Sequence, residues 1–243
     1  MGMPVTIEIA DPIANGKIFD EVYDYFTHID ETFSTYKTTS EISAINHGGV
    51  PRAEWSEEMN TVFLLAEETK RASGGYFDIK RPDGSNDPSG LVKGWAILNA
   101  AQLLEKKGYK NFYVDAGGDI QPHGHDGDGK KWSVGIKDPW HPRENVKVVY
   151  VANEGVATSG TYVRGEHIYN PKTGAPANEI VSLTVIGPNI YEADRFATAA
   201  FAMGEGAIHF IESLPDLEGY MIEKNKIATM TTGFEKYTHA NPH

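Results

Sequence analysis

Thr158-Ser-Gly-Thr-Tyr-Val-Arg-Gly-Glu-His-Ile-Tyr-Asn-Pro-Lys-Thr-Gly174 strings small hydroxyl and glycine residues up to one histidine, then closes on an Asn-Pro-Lys-Thr-Gly turn. Gly160, Gly165 and Gly174 let backbone approach a ligand closely, and Asn170-Pro171 marks a tight reversal. Read with it, Glu192-Ala-Asp-Arg-Phe-Ala-Thr198 sets Asp194 and Thr198 four residues apart. On a helix both oxygens then lie on one face, one turn apart. Such a pair suits Mg²⁺, a hard cation that takes oxygen ligands and keeps positions for water and phosphate. The commoner reading of such a pair is a first-turn acid beside an ordinary helical threonine. His167 is one of few groups here able to take a proton near neutral pH; a structural histidine is the other reading.

Bulk composition narrows the classes. At 243 residues with 40% hydrophobic content the chain is one large domain or two interlocked ones. A net charge of −12 argues against nucleic acid as a partner. It leaves room for a phosphorylated small molecule, which backbone amides and a metal can neutralise locally. The absence of cysteine removes disulfides, thiolate catalysis and Cys-based zinc sites together. No stretch approaches the ~20 apolar residues of a spanning helix, so no transmembrane segment is expected. The opening Met-Gly-Met-Pro-Val-Thr-Ile-Glu-Ile alternates like a strand and lacks the basic start and apolar core of a signal peptide. As it stands the chain reads as cytoplasmic, with export the expectation if a leader has been removed.

Outward from the opening stretch, residues 3 to 10 read as a strand, and Lys17 to Phe33 as a helix with Ile18, Val22, Tyr25, Phe26 and Ile29 at helical spacing. Ser40 caps a short helix, and Ser56-Glu57-Glu58 starts one running to about Ala72, ended by Gly74-Gly75. Tyr76 to Ile79 is taken as a short strand, then turn residues lead into a helix from about Leu91 to Lys107. Strands are expected at Asn111 to Ala116, Trp132 to Ile136, Val146 to Ala152 and Ile180 to Ile186. Helices follow at Tyr191 to Met203 and Glu205 to Leu214, before a closing hairpin of Gly219 to Ile222 and Ala228 to Thr231. Helices mixed with hairpin-joined strands point to α+β, with mixed or antiparallel sheets and packed helices.

Several short motifs have two readings. Asp87-Pro-Ser-Gly-Leu-Val-Lys93-Gly94 enters a helix: Asp87 or Ser89 is an N-cap, or the helix amino end is an anion site with Lys93 one turn inside. Gly117-Gly118-Asp119 is a tight turn, or a place where backbone passes a cofactor. Tyr36 and Tyr76-Phe77-Asp78 either pack or face a flat ring. His123-Gly-His-Asp-Gly-Asp-Gly129 lacks EF-hand spacing and reads as a mobile hairpin tip.

The order of these pieces is more specific than any one. Phe33-Ser-Thr-Tyr36, Ser40-Glu41-Ile42 with Asn46, Gly75-Tyr-Phe-Asp78, Ser89-Gly-Leu-Val-Lys-Gly-Trp-Ala96, Asp115-Ala-Gly-Gly-Asp-Ile120, Ser159-Gly-Thr161, His167-Ile-Tyr-Asn-Pro-Lys-Thr-Gly174 and Ala193-Asp-Arg-Phe-Ala-Thr-Ala199 follow one another. From Met1 to about Gly204 this resembles the ApbE family of FAD:protein FMN transferases. The resemblance implies a T-fold-like single domain of two interlocked lobes spanning residues 1–243. It also implies a Mg²⁺-dependent reaction in which FAD is cleaved, AMP leaves, and FMN is joined to a Thr or Ser hydroxyl of an acceptor flavoprotein with a flavinylation motif. By position it makes Asp194, Thr198 and the Gly90 carbonyl metal ligands. Met1, Tyr36, Tyr76, Phe77, Asp78, Asp87, Lys93, Asp119 and Ile168 become FAD contacts, and His167 the base on the acceptor hydroxyl. An FAD pyrophosphatase and a non-catalytic FAD carrier are the alternatives. Three departures stand out: His-Ile-Tyr-Asn-Pro where relatives often have His-Ile-Ile-Asp-Pro, a short segment between Asp78 and Lys93, and no export signal or lipid-attachment cysteine.

Overall fold

The computed structural model describes residues 3–12, 16–161 and 168–240; Met1 and His167 lie outside them. Strands β1 (Val5–Ile9), β2 (Phe112–Ala116), β3 (Asp119–His123), β6 (Gly155–Gly160), β7 (Ile180–Gly187), β8 (Glu218–Glu223) and β9 (Ala228–Met230) form one sheet in the order β1-β2-β3-β6-β7-β8-β9. Strands β4 (Trp132–Lys137) and β5 (Asn145–Val151) form a second, two-stranded sheet. Every described pairing between these strands is antiparallel. The α+β expectation holds.

Helices α1 (Gly16–Phe33), α2 (Glu41–Asn46), α3 (Glu57–Ala72), α4 (Ser89–Lys106), α5 (Ile190–Phe201) and α6 (Ala207–Glu212) accompany the sheets. Ile18, Val22, Phe26, Ile29 and Phe33 bury one stripe of α1, as their spacing requires. In α4 the apolar set is broader, because this helix lies between α1, α5 and the sheet: Leu91, Val92, Ala96, Ile97, Ala100, Ala101 and Leu104 are all buried. Ser40 and Ser56 cap α2 and α3 by accepting from the amides of Ser43 and Met59. None of the described helices is long and apolar enough to cross a membrane.

Alternation sorts the core into two clusters. Ala157, Leu183, Val185 and Met221 face the helices. Their neighbours Val156, Ile186, Tyr220 and Ile222 face the other way, onto Trp132, Val134 and Ile136 of the β4–β5 hairpin. The sheet is therefore covered by helices on one side and by the hairpin on the other.

Three expectations need correction. Tyr76 to Ile79 is not a strand: it is irregular chain bent at Tyr76 and Ile79, with only the bridge Lys80↔Asn86 following it, because no neighbouring strand offers it a ladder. Strands β3 and β6 were not foreseen; Pro122 and the small residues of Gly155–Gly160 hide their strand character. Residues 123–129 are not a hairpin tip, since β3 and β4 belong to different sheets. Instead, Asp126 accepts from the amides of Asp128 and Lys130.

The amino end of α5 is fixed from three sides. Asn189 accepts from the Glu192 amide at 3.0 Å, and Gln121 of β3 takes the Ile190 amide at 2.8 Å. Gly155 lets the helix start touch β6, since a Cβ there would overlap the main chain of Asn189 and Ile190. Gly155→Ala is expected to destabilise by about 1–3 kcal/mol or more through overpacking, lowering Tm by roughly 2–4 °C per kcal/mol at this size. Gly127→Ala, where a Cβ meets nothing within 4 Å, serves as control. Equal melting temperatures for the two variants would contradict this docking.

Candidate functional site

A cleft of about 520 Å³ opens where α4, α5, the β2–β3 turn, β6 and β4 meet. Its floor is charged. Lys93, in the second turn of α4, forms an ion pair with Asp119 at the start of β3, and its Nζ lies 3.5 Å from Oδ1 of Asp194 on α5. Asp119 and Asp194 are 1% and 2% exposed. Their remaining oxygens are also engaged: the Thr158 amide donates to Asp119 Oδ1 at 3.0 Å, and the Gly94 amide donates to Asp194 Oδ2 at 2.7 Å.

This proximity depends on glycine. A Cβ on Gly94 would lie 2.6 Å from Asp194 Cβ and 2.8 Å from the Ile190 carbonyl oxygen. One turn earlier, a Cβ on Gly90 would lie 2.9 Å from Thr198 Cγ2 and 3.6 Å from its Oγ1. The two glycines thus bring the backbone of α4 against the Asp194/Thr198 face of α5.

Two buried carboxylates against one ammonium leave a formal charge of −1. Burying unbalanced charge is costly, and the cost shows in Asp194. Desolvation pushes its carboxyl up to about 7, reinforced by Asp119, while Lys93 and the Gly94 amide oppose the rise. Asp115, also on the cleft, is raised by burial and by Asp119. The surplus negative charge, the Asp194 carboxylate, the Thr198 hydroxyl and the adjoining Gly90 backbone make an oxygen-donor set that fits a hard divalent cation.

Most of the residues singled out from sequence converge here. Tyr76, Phe77, Asp78, Asp87, Gly90, Lys93, Asp119, Ile168, Asp194 and Thr198 all line the cleft. Neither Asp87 nor Ser89 is the N-cap of α4: Pro88 takes that position and offers no side-chain cap, while Asp87 accepts from the Ser89 amide at 3.0 Å in a turn just ahead of the helix and pairs with Arg81. Asp78 is held by Lys70 at 2.7 Å, and the Lys172 ammonium sits 3.9 Å from the centre of the Tyr76 ring. Asn46 clamps Asn86 through its amide and main chain, steadying the segment that carries Arg81 and Asp87. Tyr36 is not brought to this cleft. It is 95% exposed beside a smaller depression that also borders Arg81 and Asp87.

Sequence reasoning did not assign Arg81, Tyr113 or the wall Trp132–Gly135 with Lys137 and Asn145 to the site. The alternation of β4 signalled a strand, but nothing local indicated that it borders a cleft. A separate group, Asp138, His141 and Glu144, has ligand atoms within 4.8 Å of one another. Its aspartate already accepts from the amides of Trp140 and His141, as a self-bonded turn does.

Comparison with known proteins bears on the family and the fold. The ApbE family model matches residues 1–83 and 80–221. A protein named FAD:protein FMN transferase from Klebsiella pneumoniae (strain 342) is 34% identical over 154 residues, covering 59% of this chain and 44% of its own length. One of the same name from Escherichia coli (strain K12) is 32% identical over 159 residues, covering 61% and 45%. The match thus spans under half the length of these curated relatives. Among solved structures, the flavin transferase ApbE from Vibrio cholerae superposes with a TM-score of 0.84 at 25% identity, covering 98% of this chain and 96% of that one. The ApbE protein from Thermotoga maritima gives 0.86 at 22% identity over the same shares and shows the common fold.

The charge surplus has a thermodynamic consequence. A carboxyl whose folded pKa is raised contributes stability that is present below its unfolded value near 3.8 and lost as pH climbs through about 7. In chelator, Asp194→Asn is therefore expected to gain Tm relative to the parent chain at pH 8 and to lose that advantage by pH 5. Thermal melts at the two pH values check it, and a pH-independent difference would count against the surplus charge.

Proposed function

This chain belongs to the ApbE family, and from that premise we propose that it is a Mg²⁺-dependent FAD:protein FMN transferase whose 243 residues act as one domain. In this reading the acceptor Thr or Ser oxygen bonds to the FMN phosphorus of FAD. The bond from that phosphorus to the bridging oxygen breaks, AMP leaves with the bridging oxygen, and the hydroxyl proton passes to His167. A phosphoester links FMN to the acceptor flavoprotein. The observation that carries the reading is the buried Asp119–Lys93–Asp194 cluster on a cleft large enough for a nucleotide.

Phosphoryl transfer asks a protein for positioning and charge neutralisation more than for a nucleophile. Asp194, Thr198 and the Gly90 carbonyl would hold Mg²⁺, which when bound supplies positive charge against the diphosphate. Lys93 adds a fixed ammonium beside it, held in place by Asp119. Tyr76 and Phe77 offer aromatic surface to the flavin nucleotide, and Arg81 with Asp87 borders the same space. Proton removal from the acceptor alcohol falls to His167, which the family resemblance assigns.

Incubation with FAD, Mg²⁺ and a candidate flavoprotein fragment tests the reading. Covalent flavin fluorescence on the fragment supports it. AMP without labelling indicates a pyrophosphatase, and FAD left intact indicates a carrier; either outcome refutes transfer. Asp194→Ala is expected to abolish Mg²⁺-dependent turnover and the Mg²⁺-induced rise in Tm while the chain stays folded by circular dichroism. Unchanged turnover would remove the metal assignment. His167→Ala is expected to lose transfer by about 10²–10⁴-fold, the usual worth of a general base, with FAD affinity largely kept. Loss of FAD binding would instead make His167 a binding group.

A further inference from the structure

Strand β4 meets the cleft in an unusual orientation. Trp132, Ser133, Val134 and Gly135, four residues in succession, line it together with Lys137. Side chains alternate between faces along a strand, so a strand seen through its face contributes every second residue. An unbroken run means that the cleft follows the edge of β4. Its hairpin partner agrees: β5 pairs with β4 from Trp132 to Lys137, yet contributes only its first residue, Asn145, to the lining.

That edge is available for pairing. The two-stranded sheet consists of β4 and β5 alone, so among the described residues β4 has no strand on its other side. Trp132, Val134 and Ile136 point their side chains into the core, while Ser133 and Lys137 are exposed on the opposite face. Main-chain N–H and C=O groups are what an edge presents to a cleft. No proline interrupts Trp132–Ile136, and the only irregularity is a bulge at Ile136/Lys137. Proteins usually blunt such edges because they invite another chain; here the walls of the cleft shelter the edge. Asn145 adds polar groups at the rim, its side chain lying across Gly135 so closely that a Cβ there would meet its Cγ at 2.6 Å.

We propose that the β4 edge is the docking rail for the acceptor polypeptide. An extended segment of the acceptor adds to β4 as a further strand, main chain to main chain, in the cleft that holds Lys93, Asp119 and Asp194. Its Ser or Thr hydroxyl is thereby carried toward the buried cluster. This rests on the flavin-transfer reading, and it commits to a polypeptide occupant because that reaction needs an acceptor chain in this cleft. Main-chain pairing fixes where the segment lies and in which register, and leaves few demands on its side chains.

The test uses the full chain with FAD, Mg²⁺ and a pool of synthetic peptides of about ten residues, each with one central Thr and randomised flanks. Mass spectrometry identifies peptides that gain FMN. The best one is remade with single N-methyl groups walked along its backbone, and also with Val in place of Thr as a non-reacting probe for hydrogen–deuterium exchange. N-methylation is expected to cut transfer about tenfold or more at every second position and little between. The Val peptide is expected to slow exchange of amides in residues 132–137 beyond the effect of FAD alone. A scan without a two-residue period, or FMN-labelled peptides with β4 exchange unmoved, overturns the docking and leaves flavin transfer standing. Slowing by FAD alone, with no further effect of the peptide, assigns the edge to the dinucleotide and likewise overturns it. AMP release with no peptide labelled sinks the transfer reading, and the docking with it.

Discussion

One ammonium held between two carboxylates removed from water is the constraint around which this chain is arranged. Lys93 comes from α4, Asp119 from β3 and Asp194 from α5, so the cluster ties the helical layer to the sheet across long stretches of sequence. Each carboxylate oxygen has a partner: Thr158 amide and Lys93 for Asp119, Gly94 amide and Lys93 for Asp194. Removing Lys93 from such a buried group costs about 3–5 kcal/mol, because two carboxylates are left charged and uncompensated. Exposed pairs such as Lys107–Glu21 carry no comparable weight.

The cluster is not optimised for stability. With two negative charges against one positive, it keeps a deficit that a hydrophobic substitution would erase, and the raised Asp194 carboxyl is where that deficit is felt. A site meant to receive a cation has to hold its negative charge in advance, in a place where water cannot screen it. The glycines at 90 and 94 serve the same end, since larger residues would push α5 away and move both Asp194 and Thr198.

Much of this was legible in the chain because it is encoded locally. The i, i+4 pair of Asp194 and Thr198, the place of Lys93 one turn inside α4 and the apolar stripe of α1 follow from periodicity, and each sits where its spacing implied. What escaped was non-local. Gly117-Gly118-Asp119 looked like a turn; that its carboxylate would take the Thr158 amide depends on β6 lying alongside, and the small residues of β6 gave little sign of a strand. The Tyr76–Ile79 run has strand-like residues but no partner, and a strand without a partner is a loop. The sequence of β4 announces its core face through Trp132, Val134 and Ile136. Which of its edges stays open is set by sheet order, and no window of residues contains that.

Sheet order also explains how one cleft can draw on both layers. Lys93 and Asp194 belong to the helical side of the seven-stranded sheet and β4 to the hairpin side, yet all three line the same space. A continuous ladder would keep them apart. Between β3 and β6 the ladder is reduced to the single pair Ile120↔Val156, and immediately beside it Asp119 replaces a main-chain acceptor with its own carboxylate. The seam is therefore held by the same side chain that anchors Lys93. Cutting back Asp119 would loosen the sheet and the charged floor together, which couples the fold to the site through one residue.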